Sequence, residues 1–163
     1  MKVSGKHWSG IRNMDGYKAS WYKEWFGEDY LTVYKHRDNN DARRLTALIV
    51  HYCSPKELNT VLDLACGNGR HSFLLAKHFK HVIGLDLSRH LLDRARRARK
   101  NGDACPCFVR ADMRLLPFKG HFDLVASLFT SFGYFDDDGQ HRRVAEEISR
   151  VLKQGGYFVM DYF

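Results

Sequence analysis

From Asn59 onward, short apolar runs alternate with stretches of helical spacing. Thr60–Ala65 reads as a buried strand, and the helical pattern of Arg70–Phe79 follows directly after Gly69. Val82–Leu85 is a second strand, followed by a basic helix that Ser88 is suited to cap. Phe108–Arg110 forms the core of a third strand, and Phe122–Ser127 a fourth, short and apolar as expected where both faces are covered. A turn-rich aromatic loop, SFGYFDDDGQ, leads to a helix that starts among Asp136–Asp138, whose charges suit a helix N-terminus. That helix turns Val144, Ile148, Val151 and Leu152 inward and is expected to stop at Gly155–Gly156, with YFVMDYF as a fifth strand. Such an alternation predicts an α/β fold with a doubly wound, mainly parallel sheet.

The first part of the chain has a different texture. WYKEWFGEDYLTVYKHRD is rich in Trp and Tyr, and Asp41–Tyr52 has an amphipathic helical pattern through Ala42, Leu45, Leu48, Ile49 and Tyr52. The expected organisation is an N-terminal aromatic-rich helical cap over 1–52 on a core over 53–163. Trp21, Trp25, Tyr30 and Tyr34 would form a lid over the ligand site.

With 163 residues, 44% of them hydrophobic, the chain can bury one real core. No apolar run approaches the roughly 20 residues of a membrane span, and MKVSGKHWSG lacks the apolar stretch of a secretory signal. A cytoplasmic protein without a membrane partner is therefore expected. Its four cysteines then read as reduced thiols, buried in the ordinary way. Cys105 and Cys107 would share one side of a strand, but no second Cys or His pair is spaced to complete a metal site, so none is expected.

The formal charge of +7 favours anionic partners. The densest basic stretch is RHLLDRARRARK, Arg89 to Lys100. Leu91, Leu92, Ala95 and Ala98 keep helical spacing there, which turns the basic residues to solvent. Nucleic-acid binding remains a possible use of that face but is not the favoured one, since charge alone carries little specificity.

Candidate chemistry gathers at the strand ends. VLDLACGNGRH places Asp63 near the end of the first strand, followed by Gly67 and Gly69 in a turn that lets a ligand approach the backbone. Two ligands compete for such a site. A dinucleotide would bring a pyrophosphate to the turn, which Asp63 opposes, and its glycine fingerprint would fall on Ser72 at the third position. S-adenosylmethionine brings an ammonium and a sulfonium instead, which a carboxylate attracts. Asp86, at the tip of the second strand, suits a pair of ribose hydroxyls with either ligand. Asp112 suits an adenine amino group, and Met113 adds its backbone and a soft apolar face. The fourth strand delivers Ser127–Phe129 to the same crevice.

VLDLACGNGR, VIGLDLS, RADMRLLPF, FDLVASLFTSFGYF and VLKQGGYFVMDYF together resemble the successive motifs of class I S-adenosylmethionine-dependent methyltransferases. The resemblance runs from Asn59 to the C-terminus. It implies a Rossmann-like core that binds S-adenosylmethionine and transfers its methyl group, by in-line displacement, to a small or medium-sized acceptor. The implied cofactor-binding residues are Asp63, Ala65, Gly67, Gly69, Arg70, Asp86, Leu87, Asp112, Met113 and Phe129. Asp63 would reach the methionine ammonium, often through water, and Gly67 and Gly69 would admit the methionine part.

No universal base is expected for this chemistry, and Tyr134 and His71 are the candidates for a catalytic role. Phe129, Phe132, Tyr134 and Phe135 would lie near the reaction point. SLFT after the fourth strand departs from the Asn/Asp-Pro-Pro-aromatic stretch of enzymes that methylate nucleobase amines, and Pro106–Cys107 lies one strand too early for a cytosine C5 nucleophile.

The family's fold continues past its fifth strand with two further strands and a helix, whereas this chain ends at Phe163. Residues that would complete the acceptor pocket are then expected to be missing, and a non-catalytic S-adenosylmethionine-binding module is the first alternative. An NAD-dependent oxidoreductase and an RNA-binding protein are the others. The apolar last strand is expected to pair across its free edge, in a homodimer or with a further segment of a longer protein.

Overall fold

In the computed structural model the residues described are 39–53, 58–99, 105–129 and 131–162. Along them run α1 (Asn39–Tyr52), β1 (Thr60–Leu64), α2 (Arg70–Leu75), β2 (His81–Asp86), α3 (Arg89–Arg97), β3 (Cys107–Arg110), β4 (Phe122–Ser127), α4 (Asp138–Val151) and β5 (Leu152–Met160). The five strands form one sheet in the order β3-β2-β1-β4-β5, and every neighbouring pair is parallel. The expected doubly wound parallel sheet is present. The chain winds outward from β1 to β3, then crosses back to place β4 against the other side of β1. The direction therefore reverses between β1 and β4.

Both sheet faces are covered, which explains the near-continuous apolar strands. Val61, Val82, Leu124 and Ala126 meet Ile49 and Cys53 of the α1 segment and Leu75 and Phe79 of the α2 segment on one face. Leu62, Leu64, Leu85 and Val125 meet Val144, Ile148 and Val151 of α4 on the other. The α1 stripe differs from the expected one: Ala42, Thr46, Ile49 and Cys53 are buried, whereas Leu48 and Tyr52 are exposed. Thr46 fits that inner face because its hydroxyl donates to the Ala42 carbonyl at 2.8 Å. Trp21, Trp25, Tyr30 and Tyr34 lie outside the described residues.

Three further expectations are corrected. The second helix is shorter than its pattern, ending at Leu75 and continuing as turns in which Lys77 and His78 donate to the Leu74 and Leu75 carbonyls. Helix α4 ends at Val151, not at the glycines, and β5 begins at once with Leu152 in extended conformation. Gly155 and Gly156 belong to an irregularity inside β5. The register jumps from Phe122↔Leu152 to Leu124↔Tyr157, and Gly155 takes a φ of +78°. The thiols are also less uniformly buried than expected: Cys53 and Cys66 are buried, Cys105 is half-buried and Cys107 is exposed on the outermost strand, β3. Ala98, the helix C-cap, is exposed, while Leu91, Leu92 and Ala95 face inward and the basic side chains outward as expected.

No helix among the described residues is long and apolar enough to cross a membrane. Nor do these residues contain a His/Cys/Asp/Glu group arranged to hold a metal ion.

Candidate functional site

The reversal between β1 and β4 leaves a crevice beyond their carboxyl ends, where open parallel sheets bind ligands. Just past each strand a non-glycine residue takes left-handed backbone: Ala65, next after β1, has φ 57° and Phe129, two residues after β4, has φ 69°. Non-glycine residues held this way concentrate at functional sites. Phe129 is fixed by Asp161, which accepts its N–H at 3.0 Å and itself donates to the Ser127 carbonyl at 3.0 Å.

Beside this point lies a cavity of about 510 Å³ whose wall includes Ala65, Gly67, Asp86, Leu87, Asp112, Met113 and Tyr134. These sequence-predicted site residues come from the ends of β1, β2 and β3 and from the loop after β4. Asp86 is the best-defined polar group in it. Its Oδ2 accepts from the Gly67 N–H at 2.7 Å and its Oδ1 from the Ser88 N–H at 2.8 Å. Burial pushes the carboxyl above its ordinary range, and the backbone N–H groups of Ser88, Gly67 and Leu87 oppose that rise. Asp86 thus ties the glycine turn to the start of α3.

Asp112 is held differently. Arg114 spans both its oxygens, with Nε to Oδ1 at 3.0 Å and Nη2 to Oδ2 at 2.5 Å. The same guanidinium bonds the Gln140 side-chain oxygen and lies 4.8 Å over the Phe135 ring. Tyr134 and Phe135 both line the cavity, while Phe132 and Phe135 also pack on the core formed with α4.

The remaining sequence-predicted residues, Asp63, Gly69, Arg70, His71 and Phe129, are not among those that line this cavity. Asp63 is buried and accepts from the Ser72 hydroxyl at 2.5 Å. Its pKa is raised to about 7 by burial, against the Ser72 hydrogen bond and with a contribution from the Asp86 charge. A Cβ on Gly69 would lie 2.7 Å from the Phe108 ring, so this glycine makes room for β3. His71 is buried, and burial with the neighbouring Arg70 charge lowers its pKa to about 4 although Asp161 opposes the shift. Ser131, Arg110 and His90 line the cavity but carry no signal in the sequence pattern. They arrive from separate elements, and only the topology brings them together.

A methyltransferase domain model matches residues 61–156, which takes in β1 from its second residue through the first part of β5 and the whole cavity wall. The chain is 35% identical over 107 residues to the cypemycin N-terminal methyltransferase of a Streptomyces species, covering 66% of this chain and 43% of that protein. It is 34% identical over 105 residues to a glycine/sarcosine N-methyltransferase of Parasynechococcus marenigrum, covering 63% of this chain and 37% of that one. Among solved structures, S-adenosylmethionine-bound CalS10, an amino pentose methyltransferase from Micromonospora echinaspora, superimposes with a TM-score of 0.68 at 27% identity, over 84% of this chain and 57% of that chain. The chain therefore spans less than half the length of these two curated relatives. With the domain matched across its sheet and the Rossmann-like topology in place, the chain belongs to the methyltransferase domain family.

Proposed function

We propose that this chain is the cofactor-binding part of an S-adenosylmethionine-dependent methyltransferase, acting on a small acceptor whose reacting atom is an amine nitrogen. The observation that carries this reading is Asp86, a carboxylate at a strand tip, fixed by two backbone N–H groups on the wall of a cavity large enough for a nucleoside. Gly67 donates to one oxygen and Ser88 to the other, with the Leu87 N–H beside them, and the acceptor capacity that is left suits a ribose hydroxyl. Leu87 and Met113 supply apolar surface for a flat base, and Asp112, held by Arg114, lies on the same wall.

When bound, the cofactor supplies a methyl group already activated as an electrophile on a sulfonium. The chain's task is then to bind, align and exclude water, which supplies most of the rate in such a displacement. The turn at Ala65–Gly67 presents backbone to the ligand, while Tyr134 and Phe135 stand on the side reached from β4. A neutral amine would need no base for such a displacement, so no side chain of this chain is required to take a proton before transfer. Tyr134 lines the cavity and is the side chain suited to orient the acceptor. His71 stays neutral at pH 7 and sits beside the Asp161–Phe129 contact, a place suited to holding that strand end.

The nitrogen acceptor is supported by three relatives: one named for an N-terminus, one for glycine and sarcosine nitrogen, and one for an amino pentose. A cytoplasmic location suits such substrates, and the exposed apolar residues of β5, Tyr157, Phe158 and Met160, suit a homodimer through that strand.

Calorimetry with S-adenosylhomocysteine and NAD, run side by side, tests the cofactor. Saturable binding of the first and none of the second is expected; the reverse overturns the assignment. Methyl transfer from labelled S-adenosylmethionine to amines and to matched alcohols then tests the acceptor class, and transfer confined to alcohols would overturn the amine reading.

A further inference from the structure

His141 joins the aromatic loop after β4 to the first turn of α4. The Phe135 N–H donates to its Nε2 at 3.3 Å. An accepting Nε2 places the ring proton of the neutral imidazole on Nδ1, which lies 3.9 Å from Asp138 Oδ1. The same ring packs on two rings of the loop, with centroids 5.4 Å from Phe132 and 5.6 Å from Phe135, both within the range of favourable ring pairs. His141 thus grips the loop on both sides of Tyr134, and Tyr134 and Phe135 line the cavity that Asp86 also lines.

Helix α4 gives His141 a fixed reference. Asp137 caps the helix by accepting the Gly139 N–H at 2.9 Å, and Val144, Ile148 and Val151 are buried in the core beneath it. The loop itself turns at Gly133, which is exposed and holds a φ of +100°, so its backbone has conformational freedom that packing must remove. Arg114 reaches Phe135 through the ring, at 4.8 Å from the centroid, whereas His141 reaches the backbone N–H as well. That N–H belongs to the planar peptide joining Tyr134 to Phe135. Fixing this peptide fixes the direction in which the Tyr134 side chain leaves the backbone.

We propose that His141 is a positioning residue for the methyl-transfer site: it holds the Tyr134–Phe135 peptide against α4 and thereby sets Tyr134 on the cavity wall. The inference rests on the reading of the cavity as an adenosyl site and adds the group that presets its aromatic side. His141 is not among the residues that line the cavity, so its effect on a ligand passes through Tyr134.

Amide exchange and calorimetry with S-adenosylhomocysteine, both on the full chain, test the proposal, with thermal melts reporting the fold. His141→Phe keeps a ring between Phe132 and Phe135 but offers no acceptor, whereas His141→Gln keeps an acceptor. His141→Asn, whose oxygen falls short of the Nε2 position, is a second variant without the bond and should match His141→Phe. Exchange at the Phe135 amide should quicken in His141→Phe and stay near the unaltered rate in His141→Gln. Loss of one neutral hydrogen bond lowers the preset fraction of the loop by up to roughly threefold to tenfold, and affinity falls in proportion. That fall should appear in His141→Phe and be rescued in His141→Gln. A merely structural histidine would act independently of Tyr134, whereas a positioning one acts through it. Tyr134→Ala should therefore weaken binding, and His141→Phe added to it should weaken binding no further. Additive losses, unchanged affinity in either single variant, or unchanged exchange at Phe135 overturn the proposal. If the unaltered protein does not bind S-adenosylhomocysteine, the adenosyl reading falls. Exchange at Phe135 then still judges the positioning, which quickened exchange in His141→Phe supports and unchanged exchange overturns.

Discussion

Ser72 donates its hydroxyl to Asp63 Oδ2 at 2.5 Å beneath the glycine turn, with Ser72 fully buried and Asp63 2% exposed. The pair sets up a pH dependence that a second group conceals. Burial raises the Asp63 pKa from 3.8 to about 7, so between those values the folded chain holds a proton that the unfolded chain has released. Stability contributed by Asp63 is complete below about pH 4 and is lost as pH rises toward 7. His71 runs the opposite way. Its pKa is lowered from 6.5 to about 4, so its contribution is complete above 6.5 and is lost as pH falls toward 4.

From about pH 4 to 6.5 the two slopes oppose each other, each up to about 1.4 kcal/mol per pH unit. Denaturant unfolding of Asp63→Asn across this range should therefore show stability rising with pH, and His71→Asn should show it falling. The unaltered protein should lie between them. Parallel profiles for all three would refute the opposing pair.

Gly69 predicts a packing defect distinct from any effect on ligand contact. It holds a φ of +78°, and a Cβ there would meet Phe108 Cζ at 2.7 Å and Ala95 Cβ at 3.2 Å. Gly69→Ala should cost about 2–3 kcal/mol from backbone strain and overpacking together. Phe108→Leu in the same chain should recover part of that loss, since the flat ring causes the clash. Additive losses in a double-mutant cycle would mean that the two positions do not meet.

These contacts also mark where the sequence stops being informative. Strands β1, β2 and β4 are readable because their apolar runs are covered on both faces, and Asp86 is readable because an acid at a strand tip interrupts such a run. The end of α4 is misjudged from sequence because Leu152 continues the helical spacing, while the strand pairing that claims it comes from Phe122, thirty residues earlier. Gly69 looks like a ligand turn until β3 places Phe108 over it. The Phe129 N–H contact with Asp161 and the Phe135 N–H contact with His141 depend on tertiary placement, which local periodicity does not encode.

Arg114 connects the Asp112 carboxylate to the aromatic loop and so predicts a local change in dynamics. It pairs with both Asp112 oxygens, bonds Gln140 and covers Phe135, with its side chain 27% exposed. Arg114→Met keeps the apolar stem and removes the fork. A stability loss of about 1–2 kcal/mol is expected for a partly exposed network of this kind. Amide exchange at Tyr134 and Phe135 should quicken. Arg114→Lys should restore charge but not the two-pronged geometry, leaving exchange intermediate. Unchanged exchange at these two amides in Arg114→Met would show that the loop is held without it.

Asp86 should matter to the ligand more than to the fold, and its two substitutions should differ for a physical reason. Asp86→Ala removes both oxygens, leaves the Gly67 and Ser88 N–H groups without their present acceptor, and takes away the proposed ribose contact. Asp86→Asn keeps one oxygen but turns an NH₂ toward one of those two N–H groups, so donor faces donor. Charge-assisted bonds of this type contribute roughly 1.5–3 kcal/mol each, so S-adenosylhomocysteine affinity should fall at least tenfold in both variants. The chain should still fold, because the apolar sheet faces do not depend on Asp86. A thermal melt reports the fold and calorimetry the affinity, so the two effects separate. An intact melt with unchanged affinity in Asp86→Ala would remove the ribose assignment, whereas an intact melt with lost binding would place the ligand's hydroxyls at the tip of β2.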